Sequence, residues 1–164
     1  MLIAHLPAGY ILAKKLFKNF KSSLLSKQFF FIAILSGAIF PDLDLFYFYF
    51  IDAKSVHHHY YFFHWPIIYL ALLLIGSILY FFKSTPIKRL GLISCLFALA
   101  ALLHLLLDTF VGDVWLFMPF IDRSYAMFQV PDVQSHWMLN FILHWSFLVE
   151  IFICIYSARL FFKR

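Results

Sequence analysis

Four long apolar runs, Leu24–Phe40, Trp65–Phe82, Leu90–Leu107 and Met138–Phe162, dominate the chain and constrain its fold more than any other feature. Each is close to the roughly 20 residues that an α-helix needs to cross a bilayer. A lipid-facing backbone has to satisfy its own N–H and C=O groups, so a run of this kind folds as a helix or in a closed barrel. The absence of strict alternation favours the helix. A fifth apolar stretch, Leu6–Phe17, is shorter. About a dozen residues at 1.5 Å each do not reach across a core of about 30 Å, so this stretch reads as a half-depth or tilted helix. The expected fold is therefore all-α: a polytopic, multi-pass membrane protein of about five helices, four of them spans, forming one integral membrane domain over residues 1–164. Composition agrees, because 64% apolar and 13% charged residues depart far from the half-apolar, quarter-charged balance of about 50% and 25% in soluble domains. Both cysteines, Cys95 and Cys154, sit inside apolar runs, which makes them packing residues and excludes a disulfide framework or a thiolate metal site. The aromatic segment Leu45–Ile51 reads as an interfacial belt.

Charge orients this outline. Lys14, Lys15, Lys18, Lys21 and Lys27 fall in the first connection, Lys83, Lys88 and Arg89 in the third, and Arg159, Lys163 and Arg164 at the end. Alternating passes place all three groups on one side, which the positive-inside tendency makes the cytoplasm. Lys54 and Arg123 are the remaining basic residues, on the opposite side. The net charge of +5 thus reflects topology, and no nucleic-acid partner is expected. The predicted orientation is N-terminus outside and C-terminus cytoplasmic. Every aspartate (Asp42, Asp44, Asp52, Asp108, Asp113, Asp122 and Asp132) then falls on the outer side, although acids played no part in drawing the topology. A cation-binding face is the direct implication.

The histidines go the same way. His104 and Asp108 are four residues apart, which stacks an imidazole and a carboxylate on one helical face. Pro41-Asp42-Leu43-Asp44 ends the second helix, where a break lets two carboxylates turn toward one point. His59 and His64 precede Trp65-Pro66 at the mouth of the third helix, and His5 stands four residues before Gly9. Taken singly, each has an ordinary explanation: a hydrogen-bonded interfacial histidine or a solvated acid pair. Taken together, ionisable groups at membrane depth are costly and point to function. Imidazoles with carboxylates suit zinc first, with manganese or iron as alternatives, rather than calcium. Roles for His57, His58, His136 and His144 stay open. Glu150, midway along the fifth helix, reads as a protonated acid or a partner of Ser146.

These motifs resemble the membrane-bound, metal-dependent hydrolases described as LexA-regulated or LexA-binding inner-membrane hydrolases. The likeness covers about Ile3 to Phe120: a His-x-x-x-Gly at His5–Gly9, a Pro-Asp-x-Asp at Pro41–Asp44, a histidine pair at His59 and His64, and a His-x-x-x-Asp with following Thr, Gly, Trp and Pro at His104, Asp108, Thr109, Gly112, Trp115 and Pro119. The second histidine motif departs from the family's His-Arg-Gly-x-Thr-His-Ser. Tyr60 and Tyr61 replace Arg-Gly, Phe63 replaces Thr, and Trp65 replaces Ser. An arginine that could hold a phosphate is therefore missing.

The resemblance implies a bacterial inner-membrane protein with one or two divalent ions held by His5, Asp42, Asp44, His59, His64, His104 and Asp108. Among these, Asp44, His64 and Asp108 are the candidate catalytic groups. The expected function is metal-dependent hydrolysis at the extracytoplasmic face of the bilayer, acting on a lipid or membrane-anchored ester, including a phosphoester. The alternative is a divalent-metal transporter or sensor that uses the same ligands without hydrolysis.

Overall fold

The computed structural model describes residues 1, 3–52 and 55–163. Lys54 and Arg164, two of the basic residues that orient the chain, lie outside the described residues. Seven α-helices are present among them: α1 (His5–Asn19), α2 (Lys27–Ile39), α3 (Asp44–Phe50), α4 (Pro66–Tyr80), α5 (Thr85–Val111), α6 (Trp137–Leu143) and α7 (Ser146–Phe162). Three short 3-10 turns, Pro41–Leu43, His58–Tyr60 and Phe62–His64, lie between α2 and α4. No strand forms among the described residues, and Val114 and Tyr125 make an isolated antiparallel bridge.

Local signals set several boundaries. Ser26 caps α2 by accepting the Phe29 N–H, which satisfies one of the first-turn donors that every helix leaves unpaired. Pro66 and Pro86 occupy first turns, where the missing N–H costs nothing. Pro41 follows α2, and the chain bends by 53° between Lys27–Ile39 and Pro41–Phe50. The aromatic segment expected as a belt is α3, with Phe46 and Phe50 largely exposed.

The all-α expectation agrees with this architecture, whereas the helix lengths do not follow the apolar runs. Only α5, at 27 residues, is long and apolar enough to cross a membrane among the described residues. The bent pair Lys27–Ile39 and Pro41–Phe50 adds a second if taken as one span, and α4 is apolar but only 15 residues long. The run expected as one helix over Met138–Phe162 is divided between α6 and α7. His144 is extended at that break, and its Nδ1 accepts the Ser146 N–H while lying 2.8 Å from Ser146 Oγ. A side chain thus takes over backbone bonding at the break without any proline or glycine.

Packing is inverted relative to a soluble domain. The interior is rich in alanine (Ala13, Ala33, Ala38, Ala98, Ala100, Ala101), while Leu74, Leu106, Leu148 and Phe152 are outward and exposed. Small residues let helix backbones approach closely, as in membrane bundles where apolar burial gives no drive of its own. Two glycines show how close. A Cβ on Gly9 would stand 2.5 Å from the Ala38 Cβ, and one on Gly37 would stand 2.2 Å from the Phe97 carbonyl oxygen. These contacts press α1 and α5 onto α2 near the end where the histidines and aspartates gather.

Candidate metal centre

His104 and Asp108 share one buried face of α5, and their side chains meet with Nε2 2.9 Å from Oδ2. The His104 Nδ1–H donates to the Ala38 carbonyl at 2.7 Å. That carbonyl belongs to the last turn of α2, where a helix leaves its C=O groups unpaired. Because a carbonyl can only accept, Nδ1 carries a hydrogen, and Nε2 is the ring nitrogen turned toward Asp108. It faces a carboxylate oxygen, and a shared proton or a metal ion can occupy the space between the two.

Two more histidines repeat the arrangement from the segment joining α3 to α4. His59 Nδ1 donates to the Asp113 carbonyl at 2.8 Å, which leaves Nε2 3.8 Å from Asp108 Oδ2. His64 Nδ1 is 2.5 Å from Asp44 Oδ2, and its Nε2 lies 3.7 Å from the same Asp108 oxygen. Three imidazoles are thus fixed through Nδ1 and present Nε2 toward Asp108 Oδ2. Ligands of a tetrahedral ion with bonds of about 2.0–2.1 Å stand about 3.3–3.4 Å apart, and these separations bracket that value. Anchoring the far nitrogen on a carbonyl or carboxylate is also how metal-ligating histidines hold their tautomer.

His5 approaches from the start of α1. Its ring stacks on His104 with centroids 3.7 Å apart, and its Nε2 is 3.1 Å from Asp108 Oδ1. The Met1 ammonium lies 2.5 Å from the same oxygen, so a cation already stands on this carboxylate. Asp42, one-third exposed, has Oδ1 3.6 Å from His104 Nε2. Asp44 is almost wholly buried, and its Oδ1 faces His58 Nδ1 at 3.7 Å.

All seven sequence-predicted residues therefore come together at one end of the helices. Candidate ligand atoms of His5, His104 and Asp108 lie within 4.8 Å of one another, as do those of Asp42, His64 and His104, and those of His59, His64 and Asp108. The buried atoms Nδ1 of His5, Oδ1 of Asp44, Nε2 of His64, Nε2 of His104 and Oδ2 of Asp108 have no hydrogen-bond partner. Orphaned polar atoms cost about 1–3 kcal/mol each when buried, and their convergence fits a divalent ion of the nitrogen- and oxygen-loving class. Burial holds the His59 imidazole well below its ordinary range, against the pull of Asp108. Burial also opposes protonation of His64, but the carboxylates of Asp108 and Asp44 outweigh it and push that group up to about 9.

Beside this cluster is a cavity of about 410 Å³, lined by the polar Asp42, His58, His59 and Asp108 and by the apolar Leu45, Phe48 and Phe141. The residue profile of the YdjM inner membrane protein family matches residues 1–163. The chain belongs to that family. No curated protein and no solved structure matches the chain. Membership places the molecule in a membrane, consistent with the exposed leucines and phenylalanines and the alanine-rich interior.

Sequence reasoning missed four contributors. The Ala38 and Asp113 carbonyls leave no side-chain signature. His58 adjoins His59, yet nothing in the run His57–His59 separates the ring facing Asp44 from its neighbours. Glu150, buried on α7, accepts the N–H groups of Ile3 at 2.6 Å and Ala4 at 3.1 Å. Its carboxylate therefore holds the entry to α1, just before His5. Tyr60 and Tyr61, the replacements for Arg-Gly, bond to Asp122 and Asp52.

Proposed function

We propose that this protein is a metal-dependent hydrolase of lipid or membrane-anchored esters, with its site at the extracytoplasmic face of the bacterial inner membrane. The observation that carries the reading is the set of three imidazole Nε2 atoms directed at one buried carboxylate oxygen. His59, His64, His104 and Asp108 would hold the ion, zinc in the first instance, with His5 and Asp42 at its margins. Such an ion supplies Lewis acidity and brings the pKa of a bound water toward neutrality. Asp42 reaches both the cluster and the cavity, which suits it to take a proton from water there. Asp44 orients His64 through its Nδ1–H.

The cavity supports the substrate class, since its volume falls in the range of about 300–1,000 Å³ typical of ligand sites and its lining combines polar and apolar side chains. An ester in the headgroup region would meet both. Below His104, α5 buries Leu96, Ala98, Ala100 and Ala101, which offers no ligands for passing an ion onward and weighs against transport.

The proposed topology has four spans, with α1 a partial helix, the N-terminus outside and the C-terminus in the cytoplasm. Single thiols introduced at Ser55 and Ser84 test it: Ser55 is expected to label from outside and Ser84 from the cytoplasm, and the reverse pattern overturns the orientation. For activity, detergent-purified protein is offered lipid-like and soluble esters with zinc. Cleavage abolished by EDTA is expected. Tight zinc binding without cleavage of any ester would favour a sensor instead.

A further inference from the structure

We propose that Asp44 and His58 form a second cation position on the cavity side of the Asp108 centre, with His64 linking the two. This inference rests on the metal-dependent reading of that centre. Asp44 is almost wholly buried, and its two oxygens have different fates. Oδ2 takes the His64 Nδ1, whereas Oδ1 has no hydrogen-bond partner at all. Facing it at 3.7 Å is Nδ1 of His58, a buried atom that also lacks a partner.

A gap of 3.7 Å is too long for a hydrogen bond. It does suit two ligands of one ion, because bonds of about 2.1 Å that subtend about 120° place their ends about 3.6 Å apart. Ligand atoms of Asp44, His58 and His64 all lie within 4.8 Å of one another. The remaining coordination positions would open on the cavity, where His58 is part of the lining and its side chain is about one-quarter exposed. An ion there has room for water and for an oxygen of the bound ester.

His58 stands among His57, His59 and His64, with ring centroids 5.0, 4.1 and 5.5 Å away. One divalent ion between Asp44 Oδ1 and His58 Nδ1 satisfies both orphaned atoms. His64 then joins two positions through its two nitrogens: Nε2 serves the Asp108 centre and Nδ1 is tied to Asp44. The ligand class is a divalent cation that accepts mixed nitrogen and oxygen donors, such as zinc or manganese.

The test is metal stoichiometry, independent of any substrate. Full-length protein in detergent is stripped with EDTA, equilibrated with zinc, freed of excess and measured for ions per chain. Cobalt provides a second, optical readout. Two ions are expected in the wild type and one in both His58→Ala and His58→Gln, the latter keeping a polar side chain in case the alanine variant fails to fold. One ion in the wild type, unchanged in a folded His58 variant, overturns the second position and leaves the Asp108 centre standing. No zinc in the wild type overturns both.

Discussion

Gly37→Ala is the most informative perturbation, because it alters packing without touching a candidate ligand. The added Cβ would stand 2.2 Å from the Phe97 carbonyl oxygen and 2.9 Å from its carbon. Both are backbone atoms, so no rotamer change relieves the contact. Restoring an ordinary separation of about 3.2 Å requires α2 and α5 to part by about 1 Å, and overpacking of this kind costs about 1–3 kcal/mol. At roughly 3 °C per kcal/mol for a chain of this size, the melting temperature should fall by about 3–9 °C. The next residue is Ala38, whose carbonyl holds His104 Nδ1 at 2.7 Å. Opening that gap by about 1 Å breaks the bond, and losing an orienting partner costs about 10–100-fold in metal affinity. Thermal unfolding in detergent reads the first effect, and zinc competition against a chromogenic chelator reads the second. Phe97→Ala in the same chain should rescue neither, since the clash is with backbone. Rescue by that second substitution, or unchanged zinc affinity in folded Gly37→Ala, would refute the reasoning.

Other outcomes follow from the same geometry. His104→Ala and Asp108→Asn should each weaken zinc binding and abolish EDTA-sensitive ester cleavage, and cleavage that persists in both removes these residues from the mechanism. Asp44→Asn should lower zinc affinity at the Asp108 centre by about 10–100-fold while His104 remains in place, because it disturbs the hold on His64; equal affinity would deny Asp44 an orienting role. Glu150→Ala orphans the Ala4 N–H and the partly exposed Ile3 N–H, for an expected loss of about 2–4 kcal/mol, and Glu150→Gln should recover much of it by retaining a carbonyl acceptor. Saturating zinc at about 100 times its Kd should stabilise the protein by about 2.7 kcal/mol over the EDTA-treated form, visible as a higher melting temperature.

The candidate site was more legible than the helices that carry it. His104 and Asp108 declare themselves by four-residue spacing inside an apolar run, where each is expensive, and Pro41 marks the bend beside Asp42 and Asp44. Their convergence with His5, His59 and His64 depends on helix approach at Gly9 and Gly37, whose tightness is invisible until the partner backbones are in place. Apolar runs proved poor rulers of helix length. Met138–Phe162 contains no glycine or proline, yet His144 interrupts it by bonding to Ser146. Trp65 and Phe82 continue the apolar pattern but fall outside α4. Hydropathy records what a residue tolerates, whereas the hydrogen-bond ladder decides where a helix stops.

The spread of the ligating segments along the chain has a consequence for biogenesis. His5 opens α1, Asp42 and Asp44 follow α2, His59 and His64 precede α4, and His104 and Asp108 close α5. The central carboxylate is therefore the last of these groups to emerge from the ribosome, and the acceptor that fixes the entry to α1, Glu150, comes later still. Early intermediates carry isolated imidazoles and two adjacent aspartates but lack the oxygen on which the imidazoles converge. Capture of the proposed ion would thus come late in synthesis, once α5 has been made, and a nascent chain stalled before Asp108 would leave the ribosome exit with its histidines still unclaimed.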